Sequence, residues 1–156
     1  MPRHGNVPKR KTRPDVVYGS VTLQKFINKM IKQGKKSKVE AIIYSALAEI
    51  ENKLKKPAME VFEKAVGNVS PALEIKARRV GGATYQVPVE ISRERALAMA
   101  MNWLLDGARG KKGRSMAENL VSELTDAFNG TGVAIKNRET LHKTAEANKA
   151  FAHFRW

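Results

Sequence analysis

Between residues 20 and 71 the apolar side chains recur at helical spacing. Leu23, Phe26, Ile27, Met30 and Ile31 share one face of a first helix, with Ser20 placed to cap its start and Gly34 to stop it. Val39, Ile42, Ile43, Ala46, Leu47, Ile50 and Leu54 form a second stripe of helical period, which Ser37 can open. A third helix has Pro57 in its first turn, where a missing N–H costs nothing, and Phe62, Ala65, Val66 and Val69 inside. Pro71 prevents its continuation.

The period then shortens to two. Leu73, Ile75 and Ala77 alternate with Glu74, Lys76 and Arg78, and beyond Gly81-Gly82 the residues Tyr85, Val87, Val89 and Ile91 alternate with Gln86, Pro88 and Glu90. This predicts a β-hairpin over roughly 72–91, packed at its base through Leu73, Ile75, Val89 and Ile91, with Pro88 on an open edge. Helical spacing returns after Ser92, with Leu97, Ala100, Met101, Leu104, Leu105 and Ala108 inward, Trp103 beside them and Gly110 as the stop. Ser115 and Glu118 have capping-box spacing ahead of Met116, Leu120, Val121, Leu124 and Phe128, and Asn129-Gly130 ends that helix. A last helix from about Ile135 carries a thin inner face of Leu141, Ala145 and Asn148.

The predicted fold is mainly α: a single-domain bundle of about six helices with a protruding two-stranded hairpin between helices three and four. Residues 1–18 hold three prolines, one glycine and no period, and read as a basic extended tail preceding a domain over 19–156. No apolar run approaches the roughly 18 residues that span a bilayer, so no membrane partner is expected. No apolar leader core precedes the domain.

Charge changes the picture most. Across 156 residues, 29 basic side chains face 15 acidic ones, for a net +14. Residues 1–39 supply +10 of that excess and contain a single acid, Asp15. A domain this basic, with its charge so unevenly placed, is built for a polyanion. The candidate contacts are Arg3, Lys9, Arg10, Lys11 and Arg13 in the tail, then Lys25, Lys29, Lys32, Lys35 and Lys36 on the first helix and its turn. Arg78, Arg79, Gly81, Gly82 and Tyr85 form the hairpin tip: two planar forks on opposite faces, glycines that permit close backbone approach, and a ring able to stack on a base. The loop RGKKGR adds Arg109, Lys111, Lys112 and Arg114, and the end HFRW adds Arg155 and Trp156.

Enzyme chemistry finds no footing. There is no cysteine, and His4, His142 and His153 have no metal-ligand spacing, so no metal and no cofactor is expected. No GxSxG occurs, and GKKS at 34–37 lacks the earlier glycine and the preceding strand of a phosphate-binding loop. Pattern and charge leave two readings open: an RNA-binding helical protein, or a DNA-binding helical protein whose hairpin is a β-wing.

Three stretches carry a resemblance. RRVGGATYQVPVE (78–90), KFINKMIKQGKKSKVEAIIYSA (25–46) and AEANKAFAHFRW (145–156) lie in order along the chain. They are similar to the hairpin, the first two helices and the bacterial-type C-terminus of the universal family of small-subunit ribosomal protein seven. Thr144 and Phe154 stand where that family leads one to expect Met and Tyr. The resemblance implies a structural, non-enzymatic constituent of the cytoplasmic ribosome. It implies direct binding to the 3′ major domain of small-subunit rRNA and nucleation of head assembly. The hairpin would reach the exit site, near tRNA and mRNA, with other head proteins and a platform protein as partners. Lys35 and Lys36 become rRNA contacts, Arg78, Arg79, Gly81 and Gly82 the arm facing rRNA and tRNA, and Arg155 and Trp156 a tail near the exit site.

Overall fold

The computed structural model describes residue 5 and residues 11–154. These form α1 (Val21–Met30), α2 (Lys36–Leu54), α3 (Ala58–Val69), β1 (Leu73–Val80), β2 (Ala83–Glu90), α4 (Arg93–Gly110), α5 (Met116–Phe128), α6 (Val133–Ala147) and a closing 3-10 turn, Lys149–Phe154. The mainly helical class and the hairpin between α3 and α4 are as the periodicity predicts. None of the described helices is long and apolar enough to cross a membrane.

All six helices give side chains to one core. The α5 helix lies at its centre and packs on α2, α3, α4 and α6. Leu23, Phe26, Leu47, Phe62, Leu104 and Leu120 are all but sealed from water, and Phe26 meets Phe62 edge-on at 5.4 Å between centroids. Each such side chain contributes about 1.5–3 kcal/mol by leaving water.

The caps follow the sequence in part. The Leu23 N–H donates to Ser20 Oγ at 3.3 Å, and Ser115 and Glu118 close their reciprocal box. However, α1 ends at Met30 rather than at Gly34, because the Ile31 N–H returns to the Ile27 carbonyl and the chain then leaves the helix. The following turn runs through Gln33 and Gly34, both at positive φ. Helix α2 begins at Lys36 with no side-chain cap from Lys35, so Ser37 does not open it. Ser92 precedes α4 without a side-chain bond. The last helix starts earlier than expected, and Ala134 and Ile135 supply its buried end.

The hairpin is antiparallel from Leu73↔Glu90 to Val80↔Ala83. Gly81 and Gly82 take φ of 58° and 88°, the left-handed pair that a two-residue loop needs to match strand twist. The register corrects the expected inner face. Leu73 and Ile75 share a face with Pro88, whereas Val89 lies opposite, with Glu74 and Val87. Both faces are covered at the base: α6 and the 3-10 turn line a groove with Leu73 and Pro88, while on the other face Arg95 reaches Glu74 and Phe151 and Phe154 meet Tyr85. Val87 and Pro88 are therefore buried, and Leu73, Ile75 and Val89 half-buried. Glu74 is only 4% exposed and is held by Arg95, and by Lys76 at 3.0 Å. Burial alone would raise its pKa; those two cations outweigh it and hold the carboxyl below its ordinary value.

The expected tail is tied down before residue 18. Asp15 is 3% exposed and accepts the Tyr44 hydroxyl at 2.6 Å and the N–H groups of Val17 and Tyr18. The Tyr18 ring then leans on Tyr44. Desolvation would raise the Asp15 pKa, but these donors pull it down. Burial, with the Asp15 bond, pushes Tyr44 up to about 12.

Candidate nucleic-acid interface

Helices α1 and α4 lie side by side in the same direction, and most of the expected lysines follow their seam. Lys25 and Lys29 border a groove with Leu97 and Met101, which Glu94 also lines. Lys29 Nζ donates to Asn102 Oδ1 at 2.9 Å. About two turns further along α4, Arg109 Nη2 donates to the Met30 carbonyl at 3.5 Å. That contact brings the C-terminal end of α4 onto the turn after α1. Lys32, Lys35, Lys38 and Arg109 then ring a single concavity. The Gly-Lys-Lys turn and the RGKKGR loop, far apart in sequence, thus meet in space. The seam is bounded by the hairpin base near Arg95 and by this basic turn. The rise of α4 from Arg95 to Arg109 separates the two ends by about 21 Å.

Lys36 is not a solitary cation. Glu40, four residues on, sits 3.3 Å from its Nζ at a half-exposed site, a pair worth only a few tenths of a kcal/mol and easily exchanged for phosphate.

Lys111 has a different fate. Its Nζ lies 3.0 Å from Glu123 Oε2 and 3.1 Å from Asp126 Oδ2, and donates to Ser122 Oγ at 2.8 Å. Burial would lower its pKa; the two carboxylates outweigh that and raise it. Glu123 is fully buried, and its other oxygen accepts the Ala134 N–H at 3.0 Å, where α6 begins and a negative charge is favoured. A Cβ on Gly107 would stand 2.7 Å from Glu123 Oε1, so this mid-helix glycine makes room for the carboxylate. Lys111 therefore locks the loop from within, and Asn119 Nδ2 holds its carbonyl at 2.9 Å. Lys112 and Arg114 are left exposed around it. Arg114 borders a groove that also contains Glu49 and Glu118. The sequence marks Lys111 only as one of four loop cations; the mid-helix glycine at 107 was the available hint of a close neighbour.

At the arm, Arg78 pairs across from Tyr85 and Arg79 from Thr84, so the two arginines face opposite ways. Arg79 and the Gly81-Gly82 tip are exposed. Tyr85 is not an open stacking platform. Its ring meets Phe151 and Phe154, each at 5.1 Å between centroids, so the C-terminal turn clasps the arm. Lys11 and Arg13 are exposed ahead of the Asp15 anchor. Arg3, Lys9, Arg10, Arg155 and Trp156 lie outside the described residues.

The chain matches the ribosomal protein S7p/S5e family over residues 2–149. It is 53% identical over 154 residues to small ribosomal subunit protein uS7 of Kosmotoga olearia, covering 99% of both chains. It is 54% identical over 156 residues to the proteins of that name from Dictyoglomus turgidum and Pelotomaculum thermopropionicum, covering all of each chain.

Proposed function

We propose, from the premise that this chain belongs to the ribosomal protein S7p/S5e family, that it binds the 3′ major domain of small-subunit rRNA directly and nucleates assembly of the subunit's head. A structural, non-enzymatic place in the small ribosomal subunit comes with the family itself. The finer reading rests chiefly on one observation: a cationic seam along α1 and α4, bounded by the hairpin base and by the fused basic turn and loop. Such a seam follows a phosphate backbone, and A-form RNA is recognised largely by shape and phosphate.

In this reading Lys25, Lys29, Lys32, Lys35, Lys36, Arg109, Lys112 and Arg114 contact rRNA. Arg78, Arg79, Gly81 and Gly82 carry the arm toward exit-site tRNA and mRNA. Arg155 and Trp156 belong to a tail in the same region, and other head proteins and a platform protein flank the domain. Residues up to 14 act as a basic arm along RNA, and the helical domain takes over from the Asp15 anchor, a little before the division expected at residue 18. The family displaces the alternative of a DNA-binding domain with a β-wing.

The test is competition. A 3′ major domain fragment should be preferred over unrelated RNA and equal-length duplex DNA by about 10³ or more at physiological salt, because generic phosphate attraction gives far less discrimination. Equal binding to all three, abolished by salt, would leave only a basic nucleic-acid binder.

A further inference from the structure

The concavity between the α1–α2 turn and the end of α4 has a chemistry beyond charge. Its rim is Lys32, Lys35, Lys38 and Arg109; its floor is Met30, Val39 and Met116. We propose that it takes one unstacked nucleotide of single-stranded RNA, with the base on the methionine floor and the phosphate among the rim cations. The proposal rests on the rRNA reading above and assigns a ligand class to one defined part of that surface.

Four observations carry it. Among the described residues no carboxylate lines the site, so the rim cations have no competing anion from them within it. The floor is apolar: Met30 and Val39 belong to the buried core, 6% and 7% exposed, and the half-buried Met116 presents the more open thioether. Two thioethers are suited to an aromatic ring, since sulfur and ring faces or edges attract one another. The volume, about 250 Å³, falls below the roughly 300–1,000 Å³ of a drug-sized ligand's pocket, so the site is a shallow one for a small group. A backbone phosphate alone would need the rim but not the floor. Splayed bases, in turn, are the feature of loops and bulges that proteins read. Among the described residues, Arg109 is the one rim cation whose side chain has a partner in the fold, its Nη2 lying 3.5 Å from the Met30 carbonyl, and the three lysines are exposed.

The experiment is methionine-methyl NMR of the full chain, titrated with the 3′ major domain fragment and, separately, with an unstructured oligonucleotide. The Met30 and Met116 methyl signals should move upfield, as expected under a ring, while Met59 on α3 stays put. In parallel, Met116→Ala should weaken RNA binding by up to about tenfold at unchanged salt slope, in line with loss of one sulfur–ring contact. Lys38→Ala should lower the slope by about 0.7–0.9. Thermal melts of both variants confirm that they fold. Stationary Met30 and Met116 signals at saturation by RNA would overturn the proposal and leave a phosphate-only rim. Movement with the oligonucleotide, but no preference for the rRNA fragment, would keep the nucleotide site and sink the rRNA reading instead.

Discussion

Lys111 and Lys112 are adjacent in sequence and opposite in role. Lys111→Ala should destabilise the fold by about 3 kcal/mol, the low end for removing one member of a buried pair, since its ammonium keeps some water. Lys112→Ala, on the exposed loop, should cost under about 0.5 kcal/mol and lower the RNA salt slope instead. Urea unfolding and salt titration of the two variants check this; equal melting points would contradict it. Acid should act through Asp15 and Glu74. Both have depressed folded pKa values, so their stabilisation is present above the ordinary carboxylate range and is lost as pH falls below about 4. The urea midpoint should therefore drop more between pH 6 and pH 3 in the native chain than in Asp15→Asn with Glu74→Gln. Lys111 has the opposite sign: its raised pKa stabilises at lower pH, and that share is lost only as pH climbs beyond about 10.5. None of these three roles shows in the pattern of the chain. Period places a residue on a face, but it does not say which carboxylate waits behind that face.

Elements were more legible than contacts. The stripe of α2 is a core face, and Leu47→Ala, at 1% exposure, should cost roughly 2–5 kcal/mol, read by thermal or urea unfolding. Strand alternation correctly located the hairpin, because a period of two needs only local sequence. Its inner face was misread because both sides of the base are covered, α6 and the 3-10 turn lining one face with Leu73 and Pro88 and Arg95 of α4 reaching Glu74 on the other. A strand buried on both faces has no single inner set. Tyr85 illustrates the same limit. Its partners Phe151 and Phe154 lie more than sixty residues on, beyond the reach of any local pattern. Phe151→Ala should loosen the arm, seen as faster amide exchange across β1 and β2 with the helical amides unchanged. Uniform protection in that variant would mean that the clasp does not hold the arm.

For the whole molecule, charge distribution was the most informative signal, and the fold refines it. The +10 carried by residues 1–39 divides at Asp15 into a leading segment and a helical seam. Deleting residues 1–14 removes five basic side chains and no acid. The salt slope should fall by several units if all five touch phosphate, at about 0.7–0.9 each; an unchanged slope would take the tail off the RNA. What the sequence could not show is that its two basic loops converge. That convergence depends on α1 and α4 running side by side, where Leu97 and Met101 of α4 border Lys25 and Lys29 of α1.

If the proposed rRNA binding holds, the arm and the basic turn both lie on the 3′ major domain. The chain has no cysteine, so single probes are clean. Ala83→Cys beside the arm tip and Ser37→Cys beside the basic turn would each carry a tethered hydroxyl-radical source into a complex with full-length small-subunit rRNA. Both probes should cut within the 3′ major domain, at two distinct clusters, as expected for one position at the arm tip and one at the far end of the seam. Cutting by the Ser37→Cys probe in another domain, or none above an untethered control, would contradict the account.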